Sequence, residues 1–110
     1  MAEFIKGDIV VIPFPFSDLS EIKKRPAFVV NKLKGDDVIL CQITSQTIKD
    51  KYSISLRKTD FATGNLSTNS NIRPNRIFTA DKNIILYKVG KIKENKTKEV
   101  IQKIIEIIND

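Results

Sequence analysis

Apolar residues come in short runs broken by turn-forming residues along most of the chain, and only the last stretch keeps a helical period. "GDIVVIPFPF" opens on Gly7 and Asp8 and closes on Pro13 and Pro15. Neither proline can donate to a central ladder, so a strand is expected from Asp8 to Ile12 or Pro13. "FPFSDLSEIKK", Phe14 to Lys24, then reads as a long loop of the kind that carries function on a rigid scaffold. A second strand follows in "PAFVVNK". "LKGDD" supplies the Gly and Asp of a hairpin turn and joins it to a third, "DVILCQITS", as an antiparallel pair. "YSISLRK" alternates Tyr52, Ile54 and Leu56 with Ser53, Ser55 and Arg57, the period of a half-buried strand. "ATGNLSTNSN" has little to bury and reads as a loop leading to "NIRPNRIFTADK"; "NIILYKVGKI" is a last β-rich stretch. From "KENKTKEV" onward Val100, Ile101, Ile104, Ile105 and Ile108 recur at helical spacing, with Lys98, Glu99, Lys103 and Glu106 between them. That is one amphipathic C-terminal helix. The pattern predicts a small, barrel-like, mostly-β (α+β) fold of short antiparallel strands with a helix packed on the end.

A length of 110 residues suits a single domain spanning 1–110, with one core. No apolar run approaches the roughly 20 residues that cross a bilayer. "MAEFIKGD" lacks the features of a secretory signal, so a cytoplasmic protein with no membrane partner is expected. Cys41 is the only cysteine and, within "VILCQI", reads as a small buried hydrophobe rather than a nucleophile. The chain contains no histidine, which removes histidine acid–base catalysis, a Ser-His-Asp triad and a zinc site of the usual ligand set. No cofactor is expected. With 19 Lys and Arg against 13 Asp and Glu, the net charge of +6 favours phosphate-rich partners.

Three segments put polar or charged residues where a strand meets the core. In "KKRP", Lys23 and Lys24 precede Arg25, and Pro26 pushes the backbone of Arg25 into extended geometry. A guanidinium held that way suits bidentate binding of a phosphate. Read alone, it is more simply a solvated edge charge that discourages aggregation. In "CQITSQT", Thr44, Ser45, Gln46 and Thr47 crowd hydroxyls and amides at a strand end, where such residues often only cap the ladder. In "NIRPNR", Arg73 and Arg76 flank Pro74 and Asn75, and solvated charge again suffices locally. The interval from Lys49 to Lys82 nonetheless holds seven cations and three anions, the beginning of a basic patch.

Taken in order and spacing, "KGDIVVIPFPFSD", "KKRPAFVV", "VILCQITSQ" and "NIRPNRIFTADK" resemble the MazF/PemK (Kid-like) family of toxin–antitoxin ribonucleases, closest to its PemK-like branch. The resemblance runs from Lys6 through the C-terminal helix. It implies an SH3-like antiparallel β-barrel with a C-terminal helix, a symmetric homodimer, metal-independent cleavage of single-stranded RNA, and inhibition by a cognate antitoxin. Any contact with operator DNA would run only through that antitoxin. Arg25 in "KRPA" matches the arginine such proteins place at the scissile phosphate, and Thr44 in "QITS" matches the hydroxyl residue beside it, with Ser45 adjacent. Arg73 matches a second active-site arginine of Kid-like members. The carboxylate those members carry two residues later is replaced here by Asn75. Phe78 stands where many relatives have an arginine before "TxD", while Thr79 and Asp81 match.

The simplest RNA chemistry open to a chain with this inventory is attack by the substrate's own 2'-OH on the adjacent phosphate. The protein then needs positioned donors rather than a covalent nucleophile. Arg25, Thr44 and Arg73 are the expected catalytic residues; Lys23, Lys24, Ser45, Gln46, Asn75 and Arg76 are the expected RNA contacts. The competing expectation, prompted by Asn75, is a non-catalytic SH3-like module that binds nucleic acid or antitoxin without cutting RNA. The Phe14–Lys24 loop is the element expected to move.

Overall fold

The structure, a computed structural model, describes residues 3–15 and 22–110. Seven strands form one antiparallel sheet: β1 (Asp8–Pro15), β2 (Ile22–Lys32), β3 (Asp37–Thr44), β4 (Ile54–Leu56), β5 (Phe61–Gly64), β6 (Ser70–Asp81) and β7 (Tyr87–Ile92). Their order across the sheet is β4-β6-β3-β2-β1-β7-β5. The sheet curls into a half-barrel, and α1 (Glu94–Asn109), the one α-helix among the described residues, follows the last strand.

Period-2 alternation sorts the apolar side chains onto the two faces of the sheet. Phe28, Cys41, Ile43 and Ile72 share one cluster with Val100 and Ile104 of α1, so this face carries the helix. Val10, Ile12, Ala27, Val29, Val38 and Leu40 form a second cluster on the other face, edged by Phe14 and Phe78. Those two rings meet edge to face, with centroids 5.6 Å apart.

Several boundaries differ from the sequence expectation. β1 does not stop at Pro13 but continues to Pro15, paired with β2 down to Pro15 opposite Ile22. Its pairing with β7 ends at Val11, so beyond that point β1 has β2 as its one strand neighbour among the described residues. Two prolines spaced by two can therefore turn their donor-less nitrogens to the open side without breaking a ladder. For the same reason "KKRP" lies inside β2 instead of at its mouth, and the expected Phe14–Lys24 loop shrinks; its residues 16–21 lie outside the described residues. "ATGNLSTNSN" is not all loop. It contains most of β5, which pairs with β7. Gly64 and Gly90 make this pairing possible: Gly64 has φ +69°, and a Cβ on either residue would run into the opposite backbone.

The expected amphipathic helix buries Thr97, Val100 and Ile104 and leaves Ile105 and Ile108 exposed. Ile105 sits about 100° around the helix from Ile104, and Ile108 belongs to the last turn. Asp8, by contrast, is fully buried. Its Oδ2 accepts the backbone N–H of Ile5 at 2.9 Å and its Oδ1 lies 3.3 Å from Lys88 Nζ, so the early "GD" ties the chain start to β7.

Cys41 is fully buried, and desolvation pushes its thiol well above the ordinary range. The thiolate is the reactive form, so the folded protein should resist iodoacetamide at neutral pH and be alkylated once unfolded in denaturant. Mass spectrometry of the two samples checks this; rapid modification of the folded protein would contradict the burial.

Candidate nucleic-acid interface

The strand register brings together three segments that are far apart in sequence. Ala27 of β2 pairs with Gln42 of β3, and continuing that register two residues further sets Arg25 across from Thr44. On the other side of β3, Gln42 pairs with Arg73 and Thr44 with Asn71 of β6. Directly paired residues point to the same face. Arg25, Gln42, Thr44, Asn71 and Arg73 therefore extend one face of the sheet, the one that carries Ala27, Val29 and Leu40 rather than the helix. From 4.8 Å per strand and 3.4 Å per residue, the Arg25 and Arg73 Cα atoms are roughly 12 Å apart, close enough for both side chains to address one phosphodiester.

Alternation also separates the three cations of "KKRP". Lys23 pairs with Phe14 and Arg25 with Ile12, which puts both on the Arg73 face, while Lys24 pairs with Pro13 and projects to the other. At the strand end Lys24 and Arg25, from the two faces, both border a hollow of about 230 Å³ with Ser45 and the 66–68 segment. That segment read as an inert loop because its Ser and Thr residues carry no period.

Between Arg73 and Ile77 the register of β6 against β3 slips. Gln42 pairs with Arg73 and its neighbour Cys41 with Ile77, so Pro74, Asn75 and Arg76 bulge from the ladder. Pro74, which cannot donate, is buried in the bulge; Asn75 and Arg76 are exposed. Arg76 borders a second hollow of about 330 Å³ with Phe14, Gln42 and Phe78. Larger hollows exist beside α1 and beside the β2–β3 turn, but neither is lined by the strand-end residues described here.

Thr44 is almost fully buried at 8% exposure, and its Oγ1 accepts the backbone N–H of Gln46 at 3.2 Å. A hydroxyl has one proton and two lone pairs, so this contact leaves the proton to donate elsewhere. Gln46 is pinned further by Asn71, whose Nδ2 donates to its carbonyl at 3.0 Å. Ser45 and Gln46 themselves are exposed.

Asp50, a residue that sequence reasoning passed over, meets Arg73. Its Oδ2 lies 3.5 Å from Arg73 Nη2, while its Oδ1 accepts the backbone N–H groups of Tyr52 and Ser53 at 2.9 and 2.8 Å. The Ser53 and Tyr52 N–H groups, with Arg73 beside them, hold its carboxyl below the usual carboxylate range. Arg73 Nε is buried and has no acceptor among the described residues. Gln42 was also overlooked, although a glutamine inside "ILCQI" at the alternation of Val38 and Leu40 signals a polar position on an apolar face.

A curled sheet whose strand ends gather arginines, a buried hydroxyl and amides on one face, followed by one C-terminal helix, defines a small basic half-barrel. The chain is a member of the PemK-like, MazF-like family of type II toxin–antitoxin toxins, whose model matches residues 5–108. A search of curated proteins by sequence gives no significant match. Solved structures share the fold at low identity. A chain of the MazE–MazF structure from Deinococcus radiodurans superposes with TM-score 0.76 at 16% identity, covering 96% of this chain and 95% of that one. An endoribonuclease from a mycobacterial species in complex with its cognate antitoxin gives 0.73 at 13% identity, covering 97% and 96%. Another mycobacterial endoribonuclease gives 0.70 at 16%, covering 99% and 94%. Among the described residues no helix is long and apolar enough to cross a membrane.

Proposed function

We propose that this toxin is an endoribonuclease that cuts single-stranded RNA by attack of the substrate 2'-OH on the adjacent phosphate, and that its target is cellular mRNA. The observation that carries this reading is the convergence of Arg25, Thr44 and Arg73, from three strands, on one face of the sheet in a member of a toxin family. Arg25 and Arg73 are fixed cations on either side of the path a phosphodiester would take, and the Thr44 hydroxyl has a proton left to donate to a phosphoryl oxygen. Charge builds on those oxygens as the 2'-oxygen attacks, and pre-oriented donors stabilise that state more than the ground state. An arginine stays protonated, so Arg25 acts through charge and geometry rather than by giving up a proton.

Lys23, Ser45, Gln46, Asn75 and Arg76 surround this face or its rim and would hold the flanking backbone; Lys24 would reach RNA only from the far side of β2. A cognate antitoxin protein would silence the enzyme by covering the same strand ends, and a homodimer would present two such faces.

The test is cleavage of a single-stranded RNA beside the same strand carrying one 2'-deoxy residue at the mapped cut site. The RNA should yield a 2',3'-cyclic phosphate and a 5'-OH, and the substituted strand should survive. Equal binding of both strands with neither cut would sink the reading.

A further inference from the structure

We infer that Asp50 is a positioning residue for Arg73: a backbone-anchored carboxylate that tethers one nitrogen of the guanidinium and aims the rest at the substrate. This rests on the reading of Arg73 as part of the RNA-cleaving face. The geometry separates the two oxygens of Asp50 by task. Oδ1 is spent on the Tyr52 and Ser53 N–H groups, which closes the turn and fixes where the carboxylate stands. Oδ2 faces Arg73 Nη2 at 3.5 Å, a long, single-point contact. A bidentate pair would consume the donors of Arg73; this one leaves most of them unspent, including the buried Nε, which has no acceptor among the described residues.

The Arg73 side chain is 17% exposed and that of Asp50 27%, while Asp50 as a whole residue is exposed, so the contact lies at the solvent edge of the face. Asn75, two residues after Arg73, brings no charge to it. The carboxylate comes from 23 residues earlier in the chain. Because its N–H partners lower its basicity, Asp50 is a weak proton acceptor and serves as a fixed counter-charge.

Asp50→Asn separates the two tasks, because the amide oxygen can still accept from Tyr52 and Ser53 while the charge facing Arg73 is gone. The RNA cleavage rate at saturating substrate should fall about three- to tenfold, with the melting temperature unchanged. In an Arg73→Ala background the same substitution should have no further effect, since the two act as one unit. The Arg73 Nε–Hε signal in a ¹⁵N NMR spectrum should shift or broaden in Asp50→Asn without RNA present. Wild-type cleavage by Asp50→Asn, an equal loss in the Arg73→Ala background, or an unmoved Nε–Hε signal would overturn the proposal. If the wild-type protein proves unable to cut RNA, the functional reading fails by itself, and the NMR signal still decides whether Asp50 holds Arg73.

Discussion

Arg25→Ala should lower the rate of RNA cleavage about 10²- to 10³-fold, the usual cost of losing one pre-oriented donor at a developing oxyanion. The effect should fall mainly on the rate at saturating substrate, because an interaction that strengthens in the transition state leaves ground-state binding largely intact. Arg25 occupies a β2 position paired with Ile12 of β1, and continuing the β2–β3 register from Ala27 and Gln42 sets Thr44 across from it. Its side chain is half-buried, so the fold gives it a fixed origin. Arg25→Lys makes the comparison sharper. It keeps the charge but loses the planar fork, and should recover only a small part of the rate. Single-turnover cleavage of one mapped RNA, run beside circular dichroism of each variant, checks both. Full activity in Arg25→Ala with an intact fold would remove this residue from the mechanism.

Phe28→Ala should destabilise the protein by about 3–5 kcal/mol, a large share of the roughly 5–15 kcal/mol that holds such a domain together. Phe28 is 0% exposed and sits in the helix-side cluster with Ile9, Cys41, Ile43 and Val100. Removing its ring leaves a void in the helix-side cluster, into which the surrounding strands can collapse only in part. For a chain of this size the melting temperature should drop on the order of 15–30 °C. Urea unfolding followed by far-ultraviolet circular dichroism should show a lower midpoint at an unchanged slope. A shift of less than about 1 kcal/mol would mean that Phe28 is not part of a close-packed core.

These two residues lie three positions apart and so fall on opposite faces: Arg25 and Ala27 point to one face of β2, Pro26 and Phe28 to the other. The substitutions should therefore separate cleanly, one removing rate at constant stability and the other removing stability. Their alternation was legible in "RPAF" once a strand was assumed. What "KKRP" could not disclose was that Lys23 and Arg25 share a face with Thr44 and Arg73 while Lys24 does not, because that depends on which residues of β1 and β3 lie alongside.

The sequence by itself determined the short β-rich runs, the hairpin at "LKGDD", the C-terminal helix, the burial of Cys41 and, through four ordered segments, the toxin family. These are local properties: period, turn chemistry and composition within about a dozen residues. Tertiary structure decided the rest. It extended β1 through Pro13 and Pro15, since a proline is tolerated wherever a strand has lost its second neighbour. It made β5 out of a stretch rich in turn residues, since Gly64 and Gly90 let two backbones approach closely. It also set Asp50 against Arg73 across 23 residues of chain, a pairing created by the register of β6 on β3 and the turn after β3, with no trace in spacing. Register is a non-local quantity, fixed by the fit of whole strands, and the chemistry of this face depends on it.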